Sequence, residues 1–307
     1  MRSYTQRRVG PWHRLKEVLK LYQMHVHDVP CQVRELLADV ANTRRSIEAL
    51  LGGELVDKRV LEIGPGQKLK TATILAHRNC VTAIDLDFVA RDYHVGDYMR
   101  MLRDNGAVRA GKTLARKVLG IDRVFERELL RALEIDEAPQ IQLLRMDAAK
   151  MAFDASMFDC VVSFSVFEHL RRPAAVLDEV KRVLFPGGVA CVYVHLFTSE
   201  TGAHDVRVLS GQRDGIPYWA HLRPEHRHLV RPNSYLNEVR LGDWRALFDS
   251  HWPGARFELF REPHLQGELA RVRQLGGLAN YEDDELLSSV LAVLWKKPPT
   301  APHGLQV

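Results

Sequence analysis

Short apolar runs alternate with helical patterns along most of the sequence, and this alternation constrains the fold more than any other feature. Five runs are rich in Val, Ile, Leu or Cys and nearly continuous in apolar character: 59–64, 80–85, 141–147, 158–165 and 187–195. Strands that are covered on both faces have this composition. Between the last two runs, the segment 173–185 carries its apolar residues on one helical face. The pattern predicts an α/β fold with a doubly wound, mostly parallel sheet.

Two later runs, 256–262 and 288–297, are candidates for the strands that complete this sheet. A helix over 241–252 is expected before the first of them. The order of elements therefore extends the α/β domain almost to the end of the sequence.

Four segments exceed what a minimal sheet-and-helix domain needs, and connections of this length usually carry structure or function of their own. They are about 12–52, 88–139, 196–240 and 264–286. We expect them to form a substrate-facing cap of helices and loops. The predicted organisation is an N-terminal helical segment (1–55), a main domain (56–297) that contains the three internal insertions, and a C-terminal tail (298–307).

Composition and charge exclude few classes of function. The formal net charge is +4, with 43 Lys+Arg against 39 Asp+Glu, and no dense basic stripe interleaved with aromatic residues indicates nucleic acid. The four cysteines lie far apart without a metal-binding spacing, which predicts reduced core thiols and a cytoplasmic protein. The sequence contains no apolar run of 18 residues, so no membrane span is predicted. Oligomeric state cannot be derived from the sequence.

The segment VLEIGPGQKLK joins a strand to a helix through Gly64-Pro65-Gly66. Such a turn places backbone N–H groups and a helix N-terminus beside a ligand. A dinucleotide site would match Asp85 at the end of the second strand, but Leu69 stands where its third glycine would fall. Glu62, two residues before the first glycine, would repel a pyrophosphate and favour a cationic ligand. S-adenosylmethionine, with its sulfonium and α-ammonium groups, is such a ligand.

The glycine motif and four later blocks resemble one family. VLEIGPGQ resembles the first motif of class I S-adenosylmethionine-dependent methyltransferases, acid-x-Gly-x-Gly-x-Gly, and AIDLD, RMDAAKMAF, FDCVVSFSVFEHL and VKRVLFPGGVACVYV follow in the family's order. The resemblance covers about residues 58–195, continues weakly to 297, and implies a seven-stranded sheet whose last strand is antiparallel. Lys68 replaces the third glycine of the motif. We expect its side chain to face the surface, with pairing to the cofactor carboxylate or a shifted loop as alternatives.

The resemblance also implies which residues bind S-adenosyl-L-methionine. Glu62, Gly64, Pro65 and Gly66 would border its methionine part, Asp85 and Leu86 would hold the ribose, and Asp147 and Ala148 would meet the adenine. Residues 163–169 would line the open side of the cofactor, with Ser163, Phe164 and His169 as the named candidates. Tyr93, His94 and Tyr98 follow the ribose strand and are candidates to close over the cofactor.

The stretch 196–240 is rich in histidine and begins at the carboxyl end of the fifth strand, where open parallel sheets bind ligands. If the methyl acceptor is a hydroxyl, a base must remove its proton. The leading candidate is His204, with Asp205 beside it in sequence, followed by His195 and His221. We predict no metal site, because neither His204-Asp205 nor His226-x-His228 has a typical ligand spacing.

The function predicted from these features is methyl transfer from S-adenosylmethionine to a small molecule, most simply the O-methylation of a secondary metabolite or a sugar-containing compound. Three alternatives stay open. The chain could bind S-adenosylmethionine without methylating, as a cyclase, an activating subunit or a sensor. It could methylate a macromolecule, or it could be a nicotinamide oxidoreductase. The insertion 88–139 is either a set of solvated helices at the sheet edge or a docking face.

Overall fold

A seven-stranded sheet forms the centre of the computed structural model, which describes residues 27–89 and 95–299. Each strand coincides with one of the seven apolar runs to within a few residues. The strands are β1 (Arg59–Ile63), β2 (Cys80–Asp85), β3 (Ile141–Arg145), β4 (Phe158–Phe164), β5 (Leu184–His195), β6 (Arg256–Arg261) and β7 (Ser288–Lys296). The α/β fold class is confirmed.

The order of strands across the sheet is β3-β2-β1-β4-β5-β7-β6. All neighbours from β3 to β5 are parallel, whereas β7 runs antiparallel to both β5 and β6. The antiparallel last strand is confirmed. The chain moves outward from β1 to β3 and then returns to β4 on the other side of β1. Parallel sheets bind ligands at such a switch point, beside the carboxyl ends of the strands.

Ten α-helices are described, and four of them cover the two faces of the sheet. They are α1 (Val29–Leu51), α2 (Lys70–Ala76), α3 (Val95–Asn105), α4 (Ala107–Val118), α5 (Ile121–Ala132), α6 (Pro173–Val183), α7 (Val206–Leu209), α8 (Leu241–His251), α9 (Gln266–Gln274) and α10 (Asp283–Leu286). One face of the sheet packs on α6 and α8, and the other packs on α1 and α2. Strand residues alternate between these two cores, as a sheet covered on both faces requires.

Of the predicted N-terminal helical segment, residues 1–26 lie outside the described residues, and α1 in the remainder lies directly on the sheet. Helix α1 begins at a Pro-containing turn capped by Asp28, and its Val40 and Ile47 are buried in the core shared with the strands. Near its start, Val29 and Val33 pack against Phe125 of α5. Helices α3 to α5 supply the structure of the 88–139 insertion. The division into segments at 55 and 297 stays a prediction.

The insertions 196–240 and 264–286 pack against each other, and together we call them the cap. Trp219 is fully buried among leucines and a valine of the second insertion and its flanks, namely Leu265, Leu269, Val272, Leu278, Leu286 and Leu287. The Trp219 indole N–H donates to the carbonyl of Leu286, 3.3 Å away. Arg240 also forms an ion pair with the buried carboxylate of Glu285. The cap is thus an ordered unit with its own apolar cluster.

Two sequence predictions concern the cysteines and the membrane. All four cysteines are free, but only Cys160 and Cys191 lie in the core. Cys80 is exposed at the start of β2 and Cys31 is half-buried in α1, so the expectation of four core thiols is wrong for these two. In the stretches 27–89 and 95–299, no helix is both long enough and apolar enough to cross a bilayer.

Candidate functional site

The turn after β1 requires glycine. Gly64 has φ +73°, and its N–H donates to the carbonyl of Ile84 in β2 at 2.8 Å. A Cβ at this position would lie 2.4 Å from Cγ2 of Val166, the residue that follows β4 by two positions. The turn is therefore held between the end of β2 and the segment that follows β4. Pro65 and Gly66 continue it toward α2, with Gly66 also in the left-handed region.

Glu62 places a buried carboxyl group beside this turn. Its side chain is 2% exposed, and its Oε2 has no hydrogen-bond partner among the described residues. Burial raises the pKa of Glu62 from 4.5 to about 8, and the negative charge of Asp85 adds to the shift. A carboxyl group without compensating contacts is costly in this position. A cation bound here would supply the positive charge that stabilises the ionised carboxylate.

The predicted ribose and adenine residues lie on adjacent loops, because β2 and β3 pair with Asp85 opposite Arg145. Asp85 Oδ1 accepts a hydrogen bond from the N–H of Asp87 at 2.9 Å, and Arg145 donates to the carbonyl of Leu86 at 3.1 Å. On the next loop, the N–H of Ala149 donates to Asp147 Oδ1 at 2.9 Å. Ala148, between them, is buried. Both aspartates thus end their strands in tight turns.

The three residues predicted along the open side of the cofactor have different surroundings. Ser163 is fully buried, and its hydroxyl donates to the carbonyl of Ile63 at 3.1 Å, which ties β4 to β1. The ring of Phe164 stacks on Tyr193, with 5.2 Å between centroids. His169 lies farther along, where its Nδ1 donates to the carbonyl of Tyr235 in the cap at 2.7 Å. Ser163 and Phe164 therefore also have packing roles, and His169 links β4 to the cap.

Lys68 does not face the surface, so that expectation is wrong. Its ammonium group is buried, 5.4 Å from the centroid of the Phe125 ring in α5. The 88–139 insertion covers this side of the glycine turn and so encloses the lysine. Of the three residues expected to close over the cofactor, Tyr93 and His94 lie outside the described residues, and Tyr98 is half-buried in α3.

Four histidines meet where the cap joins the sheet, and we call them the histidine cluster. One follows β4, one ends β5 and two lie in the cap: His169, His195, His204 and His221. Ring centroids are 4.5 Å apart for His195 and His204 and 5.0 Å apart for His169 and His204. Burial and the neighbouring histidines lower the pKa of His204 to about 3 and that of His195 to about 4. Burial likewise lowers the pKa of His221 to about 4. These imidazoles are therefore neutral at physiological pH. All three histidines predicted as catalytic belong to this cluster.

Asp205, which is adjacent to His204 in sequence, does not pair with its imidazole in the structure. The carboxylate of Asp205 accepts hydrogen bonds from the guanidinium of Arg207 at 2.6 and 3.0 Å and from the N–H of Arg231 at 2.7 Å. It also caps α7 through the N–H of Arg207. Asp205 is thus fully engaged in holding the cap and does not orient the imidazole next to it in sequence.

His221 has a defined tautomer. Its Nε2 lies 2.8 Å from the carbonyl oxygen of Phe197. A carbonyl can only accept, so Nε2 carries the proton and Nδ1 keeps its lone pair. His221 is 6% exposed and lines a cavity of about 360 Å³.

This cavity is built from the cap. Its walls combine apolar groups with a few polar ones, including Phe197, Ala203, His221, Arg227, Tyr235 and Glu238. Arg227 and Glu238 form an ion pair at 3.1 Å on one wall. The bond from His169 to Tyr235 places the cavity beside the carboxyl end of β4, three residues beyond Val166 at the glycine turn. The segment 166–169 therefore links the cavity to the glycine turn.

Glu168 lies within the stretch 163–169 that was predicted along the open side of the cofactor, although it was not named as a candidate residue. It is 1% exposed, and neither of its carboxyl oxygens makes a hydrogen bond of ordinary geometry among the described residues. Burial raises its pKa to about 8, while backbone N–H groups of Glu168 and His195 act in the opposite direction. The FEHL block quoted above contains this residue, but an acid in a short helical turn has no sequence pattern that reveals its burial.

Comparison with known families gives one match. A family model described as a methyltransferase domain matches residues 96–192, from α3 into β5. The match covers about a third of the chain, and together with the strand order of the sheet it supports a class I S-adenosylmethionine-dependent methyltransferase. No curated protein matches the chain.

Several solved structures are similar to this chain. The YcgJ protein of Bacillus subtilis is 13% identical, with 86% of this chain and 99% of that chain covered and a TM-score of 0.40. Phosphoethanolamine N-methyltransferase 2 of Haemonchus contortus, in complex with S-adenosyl-L-methionine, is 16% identical, with 84% and 52% covered and a TM-score of 0.42. The CurJ carbon methyltransferase is 12% identical, with 79% and 49% covered and a TM-score of 0.40. The chain spans about half the length of the last two.

Proposed function

We propose that this enzyme transfers the methyl group of S-adenosylmethionine to a hydroxyl group of a small molecule bound in the cap cavity. The observation that carries the proposal is the position of His221, a neutral imidazole with a fixed lone pair on Nδ1, in the wall of a cavity that the segment 166–169 links to the glycine turn. The acceptor is limited to compounds that fit this cavity.

The glycine turn is the proposed site of the methyl donor. The buried carboxyl of Glu62 and the neighbouring Asp85 form an acidic pair that suits a ligand with a sulfonium and an ammonium group. Asp85 would accept hydrogen bonds from the ribose hydroxyls, and Asp147 and Ala148 would border the adenine. Gly64 and Gly66 permit the close approach of the backbone that such a ligand needs.

The cap cavity is the proposed site of the acceptor. Its volume of about 360 Å³ lies at the small end of the range for ligand pockets, roughly 300–1,000 Å³. Apolar walls would exclude water from the transfer, and the Arg227–Glu238 pair would orient polar groups of the acceptor. A macromolecular acceptor would have to insert a side chain or a nucleotide into this space, so a small molecule is favoured.

S-adenosylmethionine supplies a methyl group on a cationic sulfur, which leaves as a neutral thioether. The residues of the chain have to align the acceptor oxygen and take its proton as the new C–O bond forms. His221 Nδ1 is the proposed proton acceptor, held in orientation by the carbonyl of Phe197. His195 and His204 would surround the same region as neutral polar groups. His221 thus replaces His204 as the leading candidate base.

The test combines a labelled-methyl assay with calorimetry. Purified enzyme and labelled S-adenosylmethionine are incubated with small hydroxyl compounds, and methylated products are identified by mass spectrometry. With an acceptor in hand, His221→Ala is expected to lower kcat by about 100-fold or more, because a positioned base contributes about that much, and to leave the affinity for S-adenosylmethionine unchanged. The control is His228→Ala, which alters an exposed histidine and should leave kcat unchanged.

Full turnover in His221→Ala would remove this residue as the base. Binding of S-adenosylmethionine without label transfer to any acceptor would favour a non-methylating role instead. Label found only in protein or nucleic acid would contradict the small-molecule proposal.

A further inference from the structure

We propose that Glu168, His195 and His204 form a binding site for a divalent transition-metal ion of the Zn²⁺ type. The binding of the ion does not depend on the proposed function. Its role at the methyl acceptor, described below, does rest on that function.

The three side chains come from separate segments but converge on one point. Glu168 lies in the short helical turn after β4, His195 ends β5, and His204 lies in the cap. One potential ligand atom from each residue lies within 4.8 Å of the other two. A tetrahedral ion with bonds of about 2.0–2.1 Å holds its ligand atoms about 3.3 Å apart. The side chains would therefore have to close by at most about 1.5 Å, which rotation about their χ angles can supply.

The polar atoms at this point lack partners. Both carboxyl oxygens of Glu168 and Nε2 of His204 are buried and make no hydrogen bond of ordinary geometry among the described residues, although backbone N–H groups of Glu168 and His195 approach the carboxyl. Buried polar groups are ordinarily satisfied, so three such atoms in one place need an explanation. A bound cation would satisfy all of them together. His169 stands beside the set, with its Nε2 3.9 Å from Oε1 of Glu168.

The surroundings of His195 and His204 suit metal ligands. The Nε2 of His195 lies 2.9 Å from the hydroxyl of Thr201, and if it donates there, Nδ1 is left with a lone pair for the metal. Ligand histidines commonly use their second nitrogen in this way, which fixes the ring orientation. His204 has φ +53°, an uncommon conformation for a residue other than glycine and one that clusters at functional sites.

The donor set selects the class of metal. Two imidazoles and one carboxylate suit Zn²⁺ and related transition metals, whereas Mg²⁺ and Ca²⁺ prefer sites made of oxygen. Three protein ligands leave at least one coordination position open, as catalytic zinc sites do.

The site lies next to the cap cavity. Ala203, adjacent to His204, lines the cavity, and so do Tyr235 and Ser234, both of which contact His169. On the proposed function, an acceptor hydroxyl would occupy the open position, become more acidic through the metal's charge, and pass its proton to His221. The metal would thereby allow a weakly basic imidazole to serve as the proton acceptor.

Metal binding is tested on the full-length protein after chelator treatment and removal of the chelator. Calorimetry with Zn²⁺ is expected to give one site per chain, and Mg²⁺ is expected to give no heat of binding. Co²⁺ should produce visible absorption bands of a four- or five-coordinate ion, displaced by Zn²⁺. Glu168→Gln and His204→Ala should each weaken Zn²⁺ binding by at least about 100-fold, since even outer-shell losses cost about 10- to 100-fold. His228→Ala is the matched control and should bind as the wild type does.

Absence of stoichiometric Zn²⁺ binding by the wild type would overturn the proposal, whatever the variants do. Equal Zn²⁺ affinity in the wild type, Glu168→Gln and His204→Ala would also overturn it. Circular dichroism and S-adenosylmethionine binding show whether each variant is folded, and His195→Ala replaces a variant that is not. Zinc binding in a protein that transfers no methyl group would sustain the metal site while contradicting the proposed function.

Discussion

Replacing Glu62 by glutamine separates the stability of the fold from the binding of its ligand. The neutral amide mimics the protonated carboxyl, so the variant no longer has to ionise a buried group. Because the pKa of Glu62 is raised from 4.5 to about 8, the folded protein holds this proton more tightly than the unfolded chain does. The contribution of Glu62 to the free energy of unfolding is therefore most favourable at and below pH 4.5, and it is lost as the pH rises toward 8.

The size of this loss follows from the shift. The rise of the pKa from 4.5 to about 8 corresponds to about 5 kcal/mol once the pH is well above 8, and more than half of this is already lost by pH 7. We expect the ligand-free Glu62→Gln protein to equal the wild type in unfolding free energy near pH 4.5 and to exceed it by several kcal/mol at pH 8. The same variant should bind S-adenosylmethionine about 10- to 150-fold more weakly, because a charge-assisted contact is worth about 1.5–3 kcal/mol.

The assay is urea unfolding of both proteins without ligand at a series of pH values, followed by calorimetry with S-adenosylmethionine. Glu126→Gln, which removes an exposed carboxylate from α5, is the control and should match the wild type in both measurements. A Glu62→Gln protein whose stability follows the wild type at every pH would refute the buried-carboxyl argument. Unchanged affinity for S-adenosylmethionine would refute the role of Glu62 in binding the cation.

Two further predictions concern the same crevice. Asp85→Ala should weaken S-adenosylmethionine binding by about 1–3 kcal/mol, measured by calorimetry, and an unchanged Kd would contradict its role at the ribose. Gly64→Ala should lower the unfolding free energy by about 1–3 kcal/mol and impair binding, because its φ of +73° and the 2.4 Å approach to Val166 both oppose a side chain. Adding Val166→Ala to Gly64→Ala should recover part of the stability in thermal unfolding, and no recovery would argue against the predicted clash.

The sheet could be predicted from sequence because its strands are buried on both faces. The run 80–85 matches β2 at both ends, and 59–64 differs from β1 by one residue. The strand predicted at 187–195 begins three residues earlier in the structure, at Leu184. Pro186 and the two glycines after it interrupt the apolar pattern, so the start of the strand could not be recognised in the sequence. Burial on both faces leaves a continuous apolar signal, whereas irregular strand ends leave none.

The site was less predictable because its residues meet only through the cap. Histidines at 169, 195, 204 and 221 could be named as candidates, yet no spacing indicated that they would form one cluster. Asp205 is adjacent to His204 in sequence, but in the structure Arg207 and Arg231 bind its carboxylate. Glu168 was not named as a candidate because its burial depends on the end of β5 and on the cap. Contacts of this kind are tertiary and leave no local pattern.

The central claim is that the acidic crevice at the ends of β1 and β2 binds S-adenosylmethionine. It is tested most directly by calorimetry of the wild type with S-adenosylmethionine and with NADH, in parallel with Asp85→Ala. The account predicts one S-adenosylmethionine site per chain, weakened in the variant, and no binding of NADH. Tighter binding of NADH, or S-adenosylmethionine binding that is indifferent to Asp85, would contradict it.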